Sequence, residues 1–164
     1  MLSKLFKKLK NGEELPIFDS THVLTDNSSK TRDEALQFIA KELFNRNYVN
    51  HQDKFLSDLI ARENTDSTGF KDEIATPHAK SKQVRNAGIW VVRFKNPIKW
   101  ETMDNSDVKT VIALSIPNQG SDDVMKSLIA ISKANMKAEF RDIVKNGANE
   151  AVTREIERVI GGGV

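Results

Sequence analysis

The stretch Val108-Lys109-Thr110-Val111-Ile112-Ala113-Leu114-Ser115-Ile116 constrains the fold of this chain more than any other segment. It is apolar almost throughout and rich in β-branched residues, as expected of a central strand covered on both faces. Such a strand needs an apolar layer above it and another below. The chain supplies candidate layers as amphipathic helices. Ala35, Leu36, Ile39, Ala40, Leu43 and Phe44 fall on one stripe, and Phe55, Leu56, Leu59 and Ile60 on a second. Val124, Leu128 and Ile131 mark a third helix. Phe140, Ile143 and Val144 mark a fourth, stopped by Gly147, and Val152, Ile156, Val159 and Ile160 a fifth, stopped by Gly161. Gly88–Phe94 is a further β-branched and aromatic run, Ile74-Ala75 is a short strand candidate, and Ile17 to Leu24 is strand-like. The alternation predicts an α/β fold, a mixed central β-sheet with helices on both faces.

Local signals refine this outline. Thr31-Arg32-Asp33-Glu34 is a capping box that opens the first helix. Tyr48-Val49 reads as a connection, and Asn50 as the cap of the second helix. Residues 15–160 are expected to form one domain, preceded by a separate segment 1–14 and followed by a loose tail at 161–164. Within the first ten residues Leu2, Leu5, Phe6 and Leu9 recur at helical spacing, opposite Lys4, Lys7, Lys8 and Lys10. That pattern suits peripheral contact with an anionic membrane surface or a partner. It better suits a terminal helix packed on its own domain, or a frayed one, because so short a helix is marginal alone. Asn11-Gly12-Glu13-Glu14 then breaks the pattern as a short linker, so residues 1–10 are expected to be dispensable for folding.

Composition removes several functional classes. The chain has no cysteine, so disulfides, thiolate metal sites and cysteine nucleophiles are ruled out. No apolar run approaches the ~20 residues needed to cross a bilayer, and no signal peptide is visible, so a cytoplasmic protein is expected. The net charge is +2, and the four lysines of the first ten residues more than account for it. The remainder carries a slight acidic excess and no nucleic-acid footprint. Neither a Gly-x-Ser-x-Gly elbow nor a His-Glu-x-x-His pair is present to suggest a hydrolase.

Three histidines remain as candidate chemistry: His22, His51 and His78. His22 lies at a Ser/Thr-rich strand edge and His51 in the first turn of a predicted helix, and both read as surface or capping positions. His78 follows Thr76-Pro77. Proline fixes its own φ and biases the preceding residue toward an extended conformation, which would hold an imidazole rigidly at a strand end, before a polar turn. A nucleophilic histidine needs one bare nitrogen aimed at its target, with the other nitrogen held by a hydrogen bond. Phosphoryl transfer otherwise asks for alignment and for donors around the phosphoryl oxygens, which Arg62, Thr68 and backbone N–H groups near Gly69 could supply. Pro-His by itself is a weak signal and fits a structural or surface histidine better.

A set of ordered blocks adds to this. Arg62-Glu63, then Ser67-Thr68-Gly69-Phe70, then Ile74-Ala75-Thr76-Pro77-His78-Ala79 resembles the phosphorylation-site region of fructose/mannitol-type enzyme IIA (EIIA type-2) domains of the bacterial sugar phosphotransferase system. Lys95-Asn96-Pro97-Ile98 with Trp100 resembles that family's loop after the following strand, and Val108 to Pro117 its central strand, so the likeness spans roughly residues 15–160. The resemblance implies a phosphotransferase/anion-transport-like domain in which His78 accepts the phosphoryl group and Arg62 neutralises its oxygens. Arg62 otherwise reads as a helix-end cation paired with Glu63, and Thr68 either lines the pocket or caps a turn.

The family usually carries a second histidine at the mouth of the site, and here that position is Ser121, which cannot supply an imidazolium charge. Lys71-Asp72-Glu73 stands where glycines are common, and Thr76 where an aliphatic is usual; Lys71 or Lys80 is a candidate replacement cation. The implied partners are the carrier protein HPr as donor and a separate IIB component as acceptor. No cofactor, nucleotide or metal is implied. The alternative is a regulatory module similar to nitrogen-type EIIA proteins, binding partners according to its phosphorylation state.

Overall fold

The computed structural model describes residues 15–161. The basic segment 1–14 and the last three residues of the expected tail fall outside the described residues, and with them the readings placed there. In chain order the elements are β1 (Val23–Asp26), α1 (Arg32–Asn45), α2 (Gln52–Thr65), β2 (Ile74–Ala75), β3 (His78–Ser81), β4 (Gly88–Ile98), β5 (Val108–Pro117), α3 (Asp122–Ala134), α4 (Ala138–Asn146) and α5 (Asn149–Ile160).

The sheet runs β1, β4, β5, and then an edge shared by β2 and β3. β1 pairs parallel with β4, β4 antiparallel with β5, and both β2 and β3 parallel with β5. Side chains alternate across β4 and β5, and each face meets its own helices. Trp90, Val92, Phe94, Val111 and Ala113 pack with Leu36, Ile39, Leu43, Phe55 and Leu59 of α1 and α2. Ile89, Val91, Ile112, Leu114 and Ile116 pack with Val124, Ile131, Phe140, Val144, Val152 and Ile156 of α3 to α5. A sheet buried on both faces explains why its central strands read as unbroken apolar runs. Each fully buried Ile, Val or Leu contributes about 1.5–3 kcal/mol over an exposed one.

The expected capping box is present: Glu34 N–H donates to Thr31 Oγ1 at 3.1 Å, and Thr31 N–H donates to Glu34 Oε1 at 3.2 Å. Gly147 and Gly161 occupy the caps that end α4 and α5. Four local expectations need correction. Ile17 to Leu24 is not one strand, because the Asp19 carboxylate accepts from Thr21 N–H (2.9 Å) and Thr21 Oγ1 (2.5 Å) and starts a 3-10 turn at Ser20–His22. The cap of α2 is His51, without a side-chain cap bond, since Asn50 N–H donates to Gln83 O at 2.9 Å and ties the chain across to residue 83. Lys95 to Ile98 is not a loop but the irregular end of β4, where the register with β5 shifts between Arg93 and Ile98. His22 is buried rather than on the surface, with its ring stacked on Trp90 at 3.8 Å and 5°.

Candidate functional site

β2 and β3 lie along the same partner, β5, and are separated only by Thr76-Pro77. They are one edge strand interrupted at a proline, which has no N–H to give the ladder. Pro77 O accepts from Leu114 N–H at 3.1 Å, so pairing with β5 resumes at once, and His78 is the first residue of β3. The polar turn expected after His78 is therefore a strand through Ser81. Ala79 and Ser81 point inward there while His78 is half-buried and Lys80 exposed. Ser81 Oγ donates to Asp58 Oδ2 of α2 at 2.5 Å, which holds the far end of β3 on that helix.

The break also exposes the Thr76 carbonyl to the imidazole. His78 Nδ1 lies 2.8 Å from Thr76 O, and a carbonyl only accepts, so Nδ1 carries the proton and Nε2 has the lone pair. Among the described residues no hydrogen bond falls on Nε2. Burial pushes the His78 pKa below its ordinary value, and the Arg62 cation adds to this; the Thr76 bond and, last, the Glu63 charge oppose it. The imidazole is thus neutral, tautomerically fixed and open at one nitrogen near neutral pH.

Arg62 stands in the last turn of α2, where the helix dipole favours a cation, and its Nη1 donates to Asp66 O at 2.6 Å. Its positive field reaches His78. The alternative pairing with Glu63 does not form among the described residues. Glu63 is buried and turns its carboxylate to other donors: Thr68 N–H at 2.8 Å, Thr68 Oγ1 at 2.5 Å and Trp100 Nε1 at 3.0 Å. Thr68 is buried beside the site with its hydroxyl committed to Glu63, and its carbonyl accepts from Thr76 N–H at 3.1 Å. Gly69 N–H is likewise engaged, by Ser67 Oγ at 3.0 Å. A Cβ at Gly69 would lie 1.9 Å from Glu101 O, so only glycine lets this loop close on residue 101.

Ser121 occupies the N-cap position of α3, half-buried and without a side-chain cap bond. Among the described residues no hydrogen bond joins it to His78. Of the two candidate replacement cations, Lys71 lies over the Phe70 ring at 5.6 Å, and Lys80 is exposed two residues beyond His78. His51 is exposed.

The turn before β2 achieves without glycine what usually takes one. Asp72 and Glu73 both have positive φ, 57° and 68°, at a cost of about 1–2 kcal/mol each. Asp72 is clamped by Arg141 Nε at 3.0 Å and Lys145 Nζ at 2.5 Å from α4, and these partners hold its carboxyl below the usual carboxylate range. Its N–H donates to Asp104 Oδ2 at 2.9 Å, and Glu73 N–H donates to Ser106 Oγ at 3.1 Å.

Sequence pattern alone gives neither Glu63 nor its Trp100 partner a chemical role at the site. The signal available was an acidic residue beside the site arginine, with an indole downstream.

Comparison with known proteins bears on this geometry. The family model described as "Phosphoenolpyruvate-dependent sugar phosphotransferase system, EIIA 2" matches residues 16–159. The PTS system fructose-like EIIA component of Escherichia coli strain K12 is 28% identical over 117 residues, covering 71% of this chain and 79% of that protein. Nitrogen regulatory protein IIA-Ntr from Neisseria meningitidis superposes with a TM-score of 0.77 at 19% identity, over 85% of this chain and 96% of that one. The complex of enzyme IIAMTL and phosphorylated enzyme IIBMTL from Escherichia coli superposes with a TM-score of 0.66 at 17% identity, over 88% and 97%. No helix among the described residues is long and apolar enough to cross a membrane.

Proposed function

We propose a residue-level mechanism for this chain, which belongs to the EIIA type-2 family of the phosphoenolpyruvate-dependent sugar phosphotransferase system and is a phosphocarrier of that system. His78 is the phosphoryl acceptor, and it acts through Nε2. The single observation that carries this is the 2.8 Å contact of His78 Nδ1 with Thr76 O, which leaves Nε2 as the bare nitrogen.

The Nε2 lone pair attacks the phosphorus of a donor phosphohistidine. The new P–N bond forms as the donor's P–N bond breaks, and the donor imidazole departs with that electron pair. Nδ1 keeps its proton throughout, and Thr76 O supports the positive charge that grows on the ring. Arg62 faces the charge on the phosphoryl oxygens, where a planar, permanently charged donor has most effect. The second transfer reverses these roles toward the next acceptor. Thr68 serves through its backbone, and Ser121 leaves the mouth of the site without a second imidazole.

In the full reading HPr donates, and a separate IIB component accepts, for uptake of a fructose/mannitol-class sugar in the cytoplasm. The name of the Escherichia coli complex, an EIIA with a phosphorylated IIB, supports that acceptor class. A regulatory reading, in which phosphorylation state gates partner binding, has its own support: Ser121 in place of a histidine, and the nitrogen regulatory name of the Neisseria relative.

Incubation with phosphoenolpyruvate, enzyme I and HPr, followed by intact-mass analysis, tests the core of the proposal. One acid-labile, base-stable phosphoryl group is expected on the wild type and on His22→Ala and His51→Ala. Retention of that group by His78→Ala would overturn it.

A further inference from the structure

We infer that Glu63 is the positioning residue that sets the tautomer of His78, an inference that rests on the reading of His78 as the acceptor. Its carboxylate touches neither the imidazole nor, among the described residues, Arg62. It acts through a chain of contacts. Glu63 Oε2 accepts from Thr68 N–H (2.8 Å) and Trp100 Nε1–H (3.0 Å), and Oε1 accepts from Thr68 Oγ1 (2.5 Å). Thr68 O then accepts from Thr76 N–H at 3.1 Å, and Thr76 O accepts from His78 Nδ1–H at 2.8 Å.

Each link is short, and the charged end is buried, with Glu63 3% exposed. A buried carboxylate is costly unless every lone-pair direction is well used, and three donors converge on this one. The loop it holds has little other freedom. Phe70 N–H donates to Ile74 O at 2.9 Å, and Ser67 Oγ donates to Glu101 O at 2.6 Å. Thr76, by contrast, lies at the proline break where the sheet ladder lapses. Its carbonyl direction depends on Thr68, and through Thr68 on Glu63. A histidine free in water favours the opposite tautomer, with the proton on Nε2 and no lone pair there to attack. Holding the Thr76 carbonyl in place is therefore the difference between a nucleophile and a bystander.

Two variants, one shorter and one isosteric, separate reach from charge. Glu63→Asp keeps the charge but falls short of Thr68 and Trp100 together. Glu63→Gln loses the charge, yet its carbonyl can still accept from Thr68 N–H and Trp100 Nε1. The tautomer is read from the His78 side-chain nitrogen signals of the full-length protein by 15N NMR above pH 7.5, in parallel with the initial rate of phosphoryl labelling. Wild type and Glu63→Gln are expected to show Nδ1 protonated and Nε2 bare. Glu63→Asp should show an Nε2-protonated population and label about 10-fold or more slowly, by analogy with the loss of outer partners of metal-ligating histidines. If Glu63→Asp does not fold, Trp100→Phe, which removes one donor and spares Thr68, should show the same new population at smaller amplitude.

An unchanged His78 tautomer in the folded variant would overturn the inference, as would a disturbed tautomer in Glu63→Gln alone, which would assign the effect to charge. Because the tautomer is read without phosphorylation, failure of His78 to label would refute the acceptor reading while the positioning role of Glu63 is still decided by the nitrogen signals.

Discussion

His22 and His78 are built alike on one side and differently on the other. Each imidazole places Nδ1 2.8 Å from a backbone carbonyl, Ile89 O for His22 and Thr76 O for His78. In each, burial is the main cause of a lowered pKa. The second nitrogen separates them. His22 Nε2 meets the Tyr48 hydroxyl at 3.2 Å, and its ring is stacked on Trp90 with Phe18 and Tyr48 at its edges. His78 Nε2 has no such partner among the described residues and lies in the field of Arg62. What the other nitrogen faces therefore separates a core histidine from the one proposed as nucleophile.

The contrast is sharpest when each residue in turn is replaced by alanine. His78→Ala should lose all phosphoryl labelling while its melting temperature stays close to wild type, because a half-buried imidazole at a strand break supports little of the core. His22→Ala should do the reverse, keeping stoichiometric labelling and losing about 3 kcal/mol of stability from the emptied aromatic cluster. Denaturant titrations beside intact-mass measurements read both quantities.

Arg62→Ala should slow labelling by about 10²-fold, the scale of one lost transition-state donor, with a stability loss under about 1 kcal/mol. An equal loss of folding and transfer would reduce Arg62 to a cap for Asp66 O.

The shared feature of the two histidines is visible in pH. Unfolded histidines take a proton near pH 6.5, while the folded ones are held neutral to lower pH. Above pH 6.5 neither group alters stability. Below it the unfolded chain binds protons that the fold refuses, so stability falls with pH, by at most about 1.4 kcal/mol per pH unit for each histidine, until the folded groups titrate. Either alanine variant should lose one of the two contributions, and a flat profile between pH 6.5 and 5 would remove burial as the common cause.

The smallest effect is expected at Ser121. Ser121→His restores an imidazole at the N-cap of α3 and should preserve or modestly raise the labelling rate without altering the fold, as stopped-flow transfer from phospho-HPr would show.

Much of this was legible in the chain. The central strands announced themselves because both faces are covered, and α1 through Thr31 and Glu34, because those contacts are local in sequence. What escaped depends on distant partners. His22 sits among Ser and Thr, and nothing near it in sequence signals Trp90 and Tyr48 as its walls. β3 looked like a turn because Lys80, Ser81 and Lys82 are polar, and it becomes a strand only through β5 and the bond from Ser81 to Asp58. The candidate site divides the same way. His78 stood out only when Thr76-Pro77-His78 was read with the ordered blocks around it, whereas the Glu63 contact with Trp100 spans 37 residues and needed the fold to bring it together.

Whether the Thr76 contact makes Nε2 of His78 the nucleophile can be read at the phosphorus itself. In 15N-histidine-labelled protein phosphorylated through HPr, one 31P–15N coupling is expected, at Nε2 of His78, with the signals of His22 and His51 unsplit. A coupling at Nδ1 of His78, or at either other histidine, would be incompatible with that assignment.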